Sequence, residues 1–189
     1  MNILVLSGSN VGNKTRIATQ ALYEQLSDFT DSEVSINYLN VQDLDLMFSD
    51  GRHFLDYTGD TGRLVQAVMD SDLIFIGTPI FQASIPASLK NVFDLLPQKA
   101  LERKTVGILV TAGSNKHYLI PEIQLKPILS YLKASIVPNY LFIHDTAFDH
   151  EKLIDDDVYF RLQTLIQDSL ILARAMQNAW QEQDDAFDF

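Results

Sequence analysis

The chain has 189 residues, of which 47% are hydrophobic and 21% charged, an ordinary balance for a single globular domain spanning residues 1–189. Its formal net charge of −11 argues against nucleic acid as a partner, because a polyanion repels an acidic surface. No stretch approaches the roughly 20 apolar residues of a membrane span, so no membrane partner is expected. The absence of cysteine and the lack of a leader-like start favour a cytoplasmic location.

Short apolar runs alternate with segments of helical periodicity along the chain. This alternation is typical of the α/β class, in which helices cover both faces of a parallel sheet. The number of strands at this length favours a doubly wound, five-stranded, flavodoxin-like sheet of order 2-1-3-4-5. The predicted strands are 2–6, 33–39, 73–76, 105–110 and 135–143, the last interrupted at Pro138; the predicted helices are 14–26, 63–69, one opened by Pro86, 121–132 with an unexplained Pro127, and 158–180.

One long connection, residues 48–62, has no predicted structure and contains three glycines. A loop of this length within a globular domain is usually functional or mobile. We therefore predict that this loop is a lid and that Arg52 contacts a phosphate of a cofactor.

The loop after the first strand predicts a phosphate site. Ligands of doubly wound sheets bind beyond the carboxyl ends of the strands, where the strand order reverses. Small residues and the free amides of a following helix are typical of phosphate binding there, although a plain capped turn would have the same composition. The P-loop and GxGxxG patterns are both absent, which argues against a Rossmann dinucleotide site. The candidate phosphate-binding residues are Ser9, Asn10, Asn13, Lys14 and Thr15.

The loops after the third and fourth strands predict a site for a flat polar ring. In the second loop an aromatic side chain can cover the ring, and backbone groups can meet its polar edge. The third loop has no bulky side chain and offers amides and hydroxyls; the histidine that follows it belongs either to the site or to the surface. Together the three loops predict an FMN site. The candidate ring-binding residues are Pro79, Ile80, Phe81, Gln82, Ala83, Ser84, Thr111, Ala112, Gly113, Ser114 and His117.

Competing chemistries have no sequence support. There is no HExxH motif and no paired-histidine spacing, so no metal site is expected. No GxSxG motif indicates a hydrolase nucleophile. We also expect no catalytic side chain in the strict sense, because hydride transfer to a flavin needs no protein acid or base.

These loops resemble those of the NADPH-dependent FMN reductase family of flavodoxin-like proteins, over about residues 1 to 145. A later stretch, residues 94–134, is similar to flavin reductases of alkanesulfonate-using systems. The residues that carry the family resemblance are Gly8-Ser9 with Thr15, Thr78-Pro79-Ile80-Phe81, Ser84-Ile85-Pro86 with Leu89-Lys90-Asn91, and Thr111-Ala112-Gly113-Ser114.

The resemblance implies an enzyme that uses FMN as cofactor and NADPH or NADH as co-substrate. Hydride would pass to the flavin and electrons onward to a second small-molecule acceptor, in a homodimer or homotetramer. Ser9 and Thr15 would hold the phosphate, while residues 79–84 and 111–114 would contact opposite sides of the ring. Asn10 stands where the family usually has a basic residue, and the Ile85-Pro86 form favours a retained flavin over a diffusing one.

Three other functions remain open at this point. The chain could be a flavodoxin-type electron carrier, or a reductase that supplies free reduced FMN to a monooxygenase. It could also be a flavin-free binding domain, because fold does not fix function.

Overall fold

A parallel sheet forms the centre of the computed structural model, which describes residues 1–187. Its strand order is β2-β1-β3-β4-β5, with β6 also paired to β4, so the predicted flavodoxin-like order is confirmed. The strands are β1 Asn2–Ser7, β2 Ser35–Asn40, β3 Leu73–Pro79, β4 Thr105–Ala112, β5 Ser135–Ile136, β6 Leu141–His144, β7 Phe148–Asp149 and β8 Lys152–Leu153; the helices are α1 Lys14–Leu26, α2 Gly59–Asp70, α3 Ala87–Asp94, α4 Lys126–Tyr131 and α5 Asp156–Phe187.

Helices bury both faces of the sheet. The side chains of successive strand residues point to opposite faces, so they pack against different helices. In β1, Ile3 and Val5 pack with α1 and α5, whereas Leu4 and Leu6 pack with α2, α3 and α4. Every residue of β3 and β4 is buried, as expected for central strands of a doubly wound sheet. The continuous apolar runs in the sequence follow from this double burial.

The predicted fifth strand is divided into β5 and β6, both of which pair with β4 in parallel. Pro138 lies in the gap between them, and it has no amide hydrogen to donate to the sheet. After the gap, β6 continues to the carboxyl end of β4, where His144 pairs with Ala112. The residue that follows, Asp145, therefore lies at the same edge as the three predicted ligand loops.

Helices α2 and α4 differ most from the sequence prediction at their starts. Helix α2 begins at Gly59, four residues earlier than predicted. Its first turn was not predicted because glycine is a poor helix former. The segment predicted as one helix over 121–132 is a π-helical turn, Pro121–Leu125, followed by α4. Pro127 lies in the first turn of α4, a position that tolerates proline.

The connection before α2 is held against α3 by Asn91. The Oδ1 atom of Asn91 accepts the Ser49 amide at 2.9 Å, and its Nδ2 donates to the Met47 carbonyl at 2.9 Å. Arg52 is held within the connection itself, because its Nε donates to both carboxylate oxygens of Asp50, at 2.9 and 3.0 Å. Its hydrogen bonds lower the pKa of Asp50 to about 2. The lid and the phosphate contact of Arg52 stay predictions.

We expect the Asn91→Ala variant to lower the free energy of unfolding by about 2 kcal/mol, because it removes two part-buried hydrogen bonds that join the connection to α3. Chemical denaturation measures this change. Ser88→Ala is the matched control, since its hydroxyl makes longer bonds, at 3.2 and 3.4 Å, and its loss should cost under about 0.5 kcal/mol. Equal losses of unfolding free energy in the two variants would contradict the role of Asn91 in holding the connection against α3.

Candidate functional site

The three predicted loops meet at the carboxyl ends of β1, β3 and β4, and hydrogen bonds join them. The Gly8 amide donates to the Gly77 carbonyl at 2.8 Å, which joins the first loop to β3. The hydroxyls of Thr15 and Thr111 share a buried hydrogen bond of 2.7 Å. The Ile80 amide donates to the Thr111 carbonyl at 3.3 Å, which joins the second loop to the third. The loops are therefore fixed relative to one another.

Between the loops lies a cleft of about 380 Å³, a volume within the range of small-molecule sites. It brings together most of the predicted site residues, along with three that were not predicted. The cleft is lined by the predicted residues Asn13, Lys14, Thr15, Pro79, Ile80, Phe81, Thr111, Ala112 and Gly113, and by Val11, Gly12 and Asp145. Ser9, Asn10, Gln82, Ala83, Ser84, Ser114 and His117 lie in the same loops but outside this lining.

The first loop presents the start of α1 to the cleft. The Asn13 side chain does not cap the helix and instead donates to Glu151 Oε1 at 3.3 Å. First-turn amides without a capping side chain are suited to an anionic ligand. The buried Ser9 hydroxyl donates to the Val11 carbonyl at 2.6 Å, so it shapes the loop from within. The proposed phosphate contacts of Ser9 and Thr15 stay predictions, since both hydroxyls have partners in the protein.

The second loop is a two-residue hairpin at its tip. The backbones of Phe81 and Ser84 exchange two hydrogen bonds of 2.9 Å, and Gln82 and Ala83 between them have φ of 49° and 59°. These positive values define a primed turn, in which glycine or asparagine is the usual residue. The hairpin holds Phe81 at the cleft with 38% of its surface exposed, so a large apolar face is available to a ligand.

We expect the Ala83→Gly variant to raise the free energy of unfolding by about 0.5 to 1 kcal/mol, because glycine adopts a positive φ without steric strain. Ala87→Gly is the matched control, in the first residue of α3, where glycine should instead lower it by up to about 1 kcal/mol. Chemical denaturation of both variants measures the difference. A destabilised Ala83→Gly variant would contradict a strained turn at this position.

The third loop leaves the end of β4 and enters a single 3₁₀ turn, residues Asn115–His117. The Ser114 hydroxyl accepts the Lys116 amide at 3.3 Å, and its carbonyl accepts the His117 amide at 3.1 Å. Ser114 therefore starts this turn, and the open wall of the cleft is formed by the small residues before it. His117 is half-buried and lies beyond the cleft lining.

Asp145 is a site residue that the sequence analysis missed. Its carboxylate Oδ2 lies 2.7 Å from Lys14 Nζ, across the cleft from the start of α1. A Cβ added to Gly113 would lie 3.1 Å from the same oxygen, so the carboxylate also packs against the third loop. Its position close after the fifth predicted strand could have identified it, because the carboxyl ends of parallel strands meet at one edge of the sheet. The sequence prediction included only the loops after strands one, three and four.

Within residues 1–187, larger cavities lie away from these loops. One of about 510 Å³ runs between β6 and α5, and one of about 440 Å³ lies between α3 and α4. In the first, burial raises the pKa of Tyr140 to about 12. Neither lies at the carboxyl ends of β1 and β3, where the strand order reverses and doubly wound sheets bind ligands. The smaller cleft is therefore the better candidate site.

The residues present in the cleft fit FMN. The uncapped start of α1 and Lys14 provide amides and a cation for a phosphate. The exposed apolar faces of Val11 and Phe81 suit a flat ring, and Ala112 and Gly113 leave space beside it. Within the described residues 1–187, no cluster of side chains could hold a metal ion, and no helix is long and apolar enough to cross a membrane.

A flavodoxin-like sheet with an uncapped helix start and an open cleft beside it is typical of the nucleotide- and flavin-binding α/β proteins. Residues 1–149 match the model of one family within this class, described as NADPH-dependent FMN reductase. The chain belongs to this family, and the predicted resemblance is confirmed.

Individual relatives agree with this membership. The chain is 37% identical over 166 residues to an NAD(P)H-dependent FAD/FMN reductase of Geobacillus thermodenitrificans, covering 87% of this chain and 89% of the relative. It is 26% identical over 167 residues to the NADH-dependent FMN reductase SfnF of Pseudomonas putida, covering 88% and 89%. Among solved structures, the apo form of an NADH:FMN oxidoreductase, EMOB, superposes with a TM-score of 0.72 at 28% identity, covering 88% of this chain and 86% of that one.

Proposed function

We propose that the protein is an FMN-dependent NAD(P)H oxidoreductase that passes electrons to a second small-molecule acceptor. One observation carries this proposal: the family match over residues 1–149 contains all of the cleft lining, which the fold assembles at the ligand-binding edge of the sheet. When bound, FMN supplies the redox chemistry, accepting a hydride from NADPH or NADH and giving electrons to the acceptor.

The protein contributes binding, orientation and electrostatics. The amides at the start of α1, with Lys14, hold a phosphate at the first loop. The hairpin tip at Phe81 and the open wall at Gly113 bracket the ring, and their fixed hydrogen bonds keep it in one orientation. Backbone amides of these loops stabilise the negative charge that builds up during reduction. No side chain is needed as an acid or base, so we propose no catalytic side chain.

The choice of co-substrate and acceptor stays open within this proposal. Relatives are named as NADH-dependent and as NADPH-dependent FMN reductases, and one as an FMN-dependent NADPH-azoreductase. These names favour a reductase over a flavodoxin-type carrier. A reductase that supplies free reduced FMN to a monooxygenase is the second candidate, because the cleft is open and its phosphate site contains a carboxylate.

We further propose a homodimer or homotetramer in the cytoplasm, built from one domain of residues 1–189. The apolar groove between α3 and α4 supports the assembly. It is lined by Phe93, Leu96, Ile128 and the exposed Tyr131, and unpaired apolar faces of this kind are common at interfaces. Sedimentation equilibrium tests this part of the proposal: a single species of about 21.4 kDa at micromolar concentration would contradict it.

The test of the activity is the absorbance spectrum of the desalted protein, followed by anaerobic addition of NADPH and, separately, NADH. The proposal expects flavin bands, either retained or restored by added FMN, that bleach with at least one co-substrate. Retained bands would identify FMN as a held cofactor, and restored bands would identify it as an exchanging one. A protein that neither binds added FMN nor oxidises either co-substrate would overturn the proposal.

A further inference from the structure

The only cation in the lining of the candidate cleft is already paired. Lys14 Nζ lies 2.7 Å from Asp145 Oδ2, and both residues belong to the lining. Their side chains are 42% and 40% exposed, so the pair is half-solvated and contributes little to stability. It can therefore open to admit a ligand without unfolding anything around it.

This pairing changes what a phosphate meets at the start of α1. A free lysine would add a full positive charge to the helix amides, whereas the Lys14–Asp145 pair is neutral overall. If Lys14 turns to the phosphate, the carboxylate of Asp145 is left facing the same anion inside the cleft. In either arrangement Asp145 opposes the charged phosphate far more than the oxidised flavin ring, which carries no net charge.

We propose that Asp145 is a specificity-determining residue that weakens the hold on the flavin phosphate, so that the protein discriminates little between FMN and riboflavin and exchanges its flavin readily. This inference rests on the proposed flavin function and refines it. It also opposes one sequence expectation, because the Ile85-Pro86 form favours a retained flavin. The ratio of the affinities for FMN and riboflavin measures the discrimination, and loss of FMN on desalting measures the exchange.

The test is the Asp145→Asn variant, which keeps the shape of the side chain against Gly113 and removes its charge. Quenching of flavin fluorescence measures the affinities for FMN and for riboflavin, two ligands with the same ring. We expect the variant to bind FMN about tenfold more tightly and riboflavin within about twofold of the unmodified protein. FMN binding by the variant should also weaken more steeply as salt is raised, because a free cation then meets the phosphate.

Asp149→Asn is the matched control, because it removes the same charge from an exposed residue of β7 that does not line the cleft. It should change neither affinity by more than about twofold. An Asp145→Asn variant whose FMN affinity falls or stays unchanged would overturn the inference, as would an equal gain for both flavins. If the unmodified protein binds neither flavin, the proposed function itself fails, and that result is distinct from the others.

Discussion

The Gly77→Ala variant is expected to lose about 3 kcal/mol of unfolding free energy, a large effect for one added methyl group. Gly77 lies in β3 directly beneath α1. A Cβ built there would lie 2.1 Å from the Cγ2 of Thr19 and 3.3 Å from the Cγ2 of Thr15. To accommodate the methyl group, α1 must move away from the sheet, and that movement displaces the first loop, where we propose that the phosphate binds. We therefore expect FMN affinity to fall together with stability.

A second substitution tests this steric explanation. Thr19→Ser removes the clashing Cγ2 and keeps the hydroxyl that bonds to the Thr15 carbonyl at 2.9 Å and to the Tyr38 hydroxyl at 3.1 Å. The Gly77→Ala/Thr19→Ser double variant should regain more than half of the lost stability, measured by chemical denaturation. Strictly additive losses in the double variant would mean that the contact between α1 and β3 is not the cause.

Replacement of Lys14 by methionine is expected to weaken FMN binding by about 30-fold, or about 2 kcal/mol. The substitution removes the cation of the cleft lining and leaves the Asp145 carboxylate unpaired beside the proposed phosphate site. Riboflavin affinity should change by less than about twofold, so riboflavin becomes the better ligand. Fluorescence titrations with the two flavins measure both effects.

The matched control for Lys14→Met is Lys99→Met, which removes the same charge from an exposed residue that precedes β4 and so lies toward the opposite edge of the sheet. Its FMN affinity should stay within about twofold of the unmodified protein. Adding Asp145→Asn to Lys14→Met should recover part of the lost affinity, because the unpaired carboxylate is then gone. Equal weakening by both lysine substitutions would place the phosphate somewhere other than at the start of α1.

The order of the sheet was predictable because β1, β3 and β4 are buried on both faces and therefore read as continuous apolar runs. The three candidate ligand loops were predictable in outline for a related reason, since small and polar residues directly after such runs have no role in a core. The start of α2 was not predictable, because its first turn contains Gly59 and Gly62 and has weak helical propensity.

Side-chain partners within the site were beyond the reach of the sequence. Asp145 is 131 positions from Lys14 along the chain, and only the continuation of β6 to the end of β4 brings them together. The bond between Thr15 and Thr111 depends in the same way on how α1 rests on the sheet. Periodicity and composition describe single elements, whereas these contacts are set by the distance between elements.

The most direct test of the central claim is an FMN titration followed through the amide ¹H–¹⁵N shifts of the labelled protein. We predict amide shifts concentrated in residues 11–15, 80–84, 111–114 and at Asp145, which line the candidate cleft or belong to the loops that form it. Riboflavin should reproduce the shifts of the second and third loops and leave those at the start of α1 smaller. Shifts concentrated along β6 and α5, or between α3 and α4, would contradict the assignment of this cleft as the flavin site.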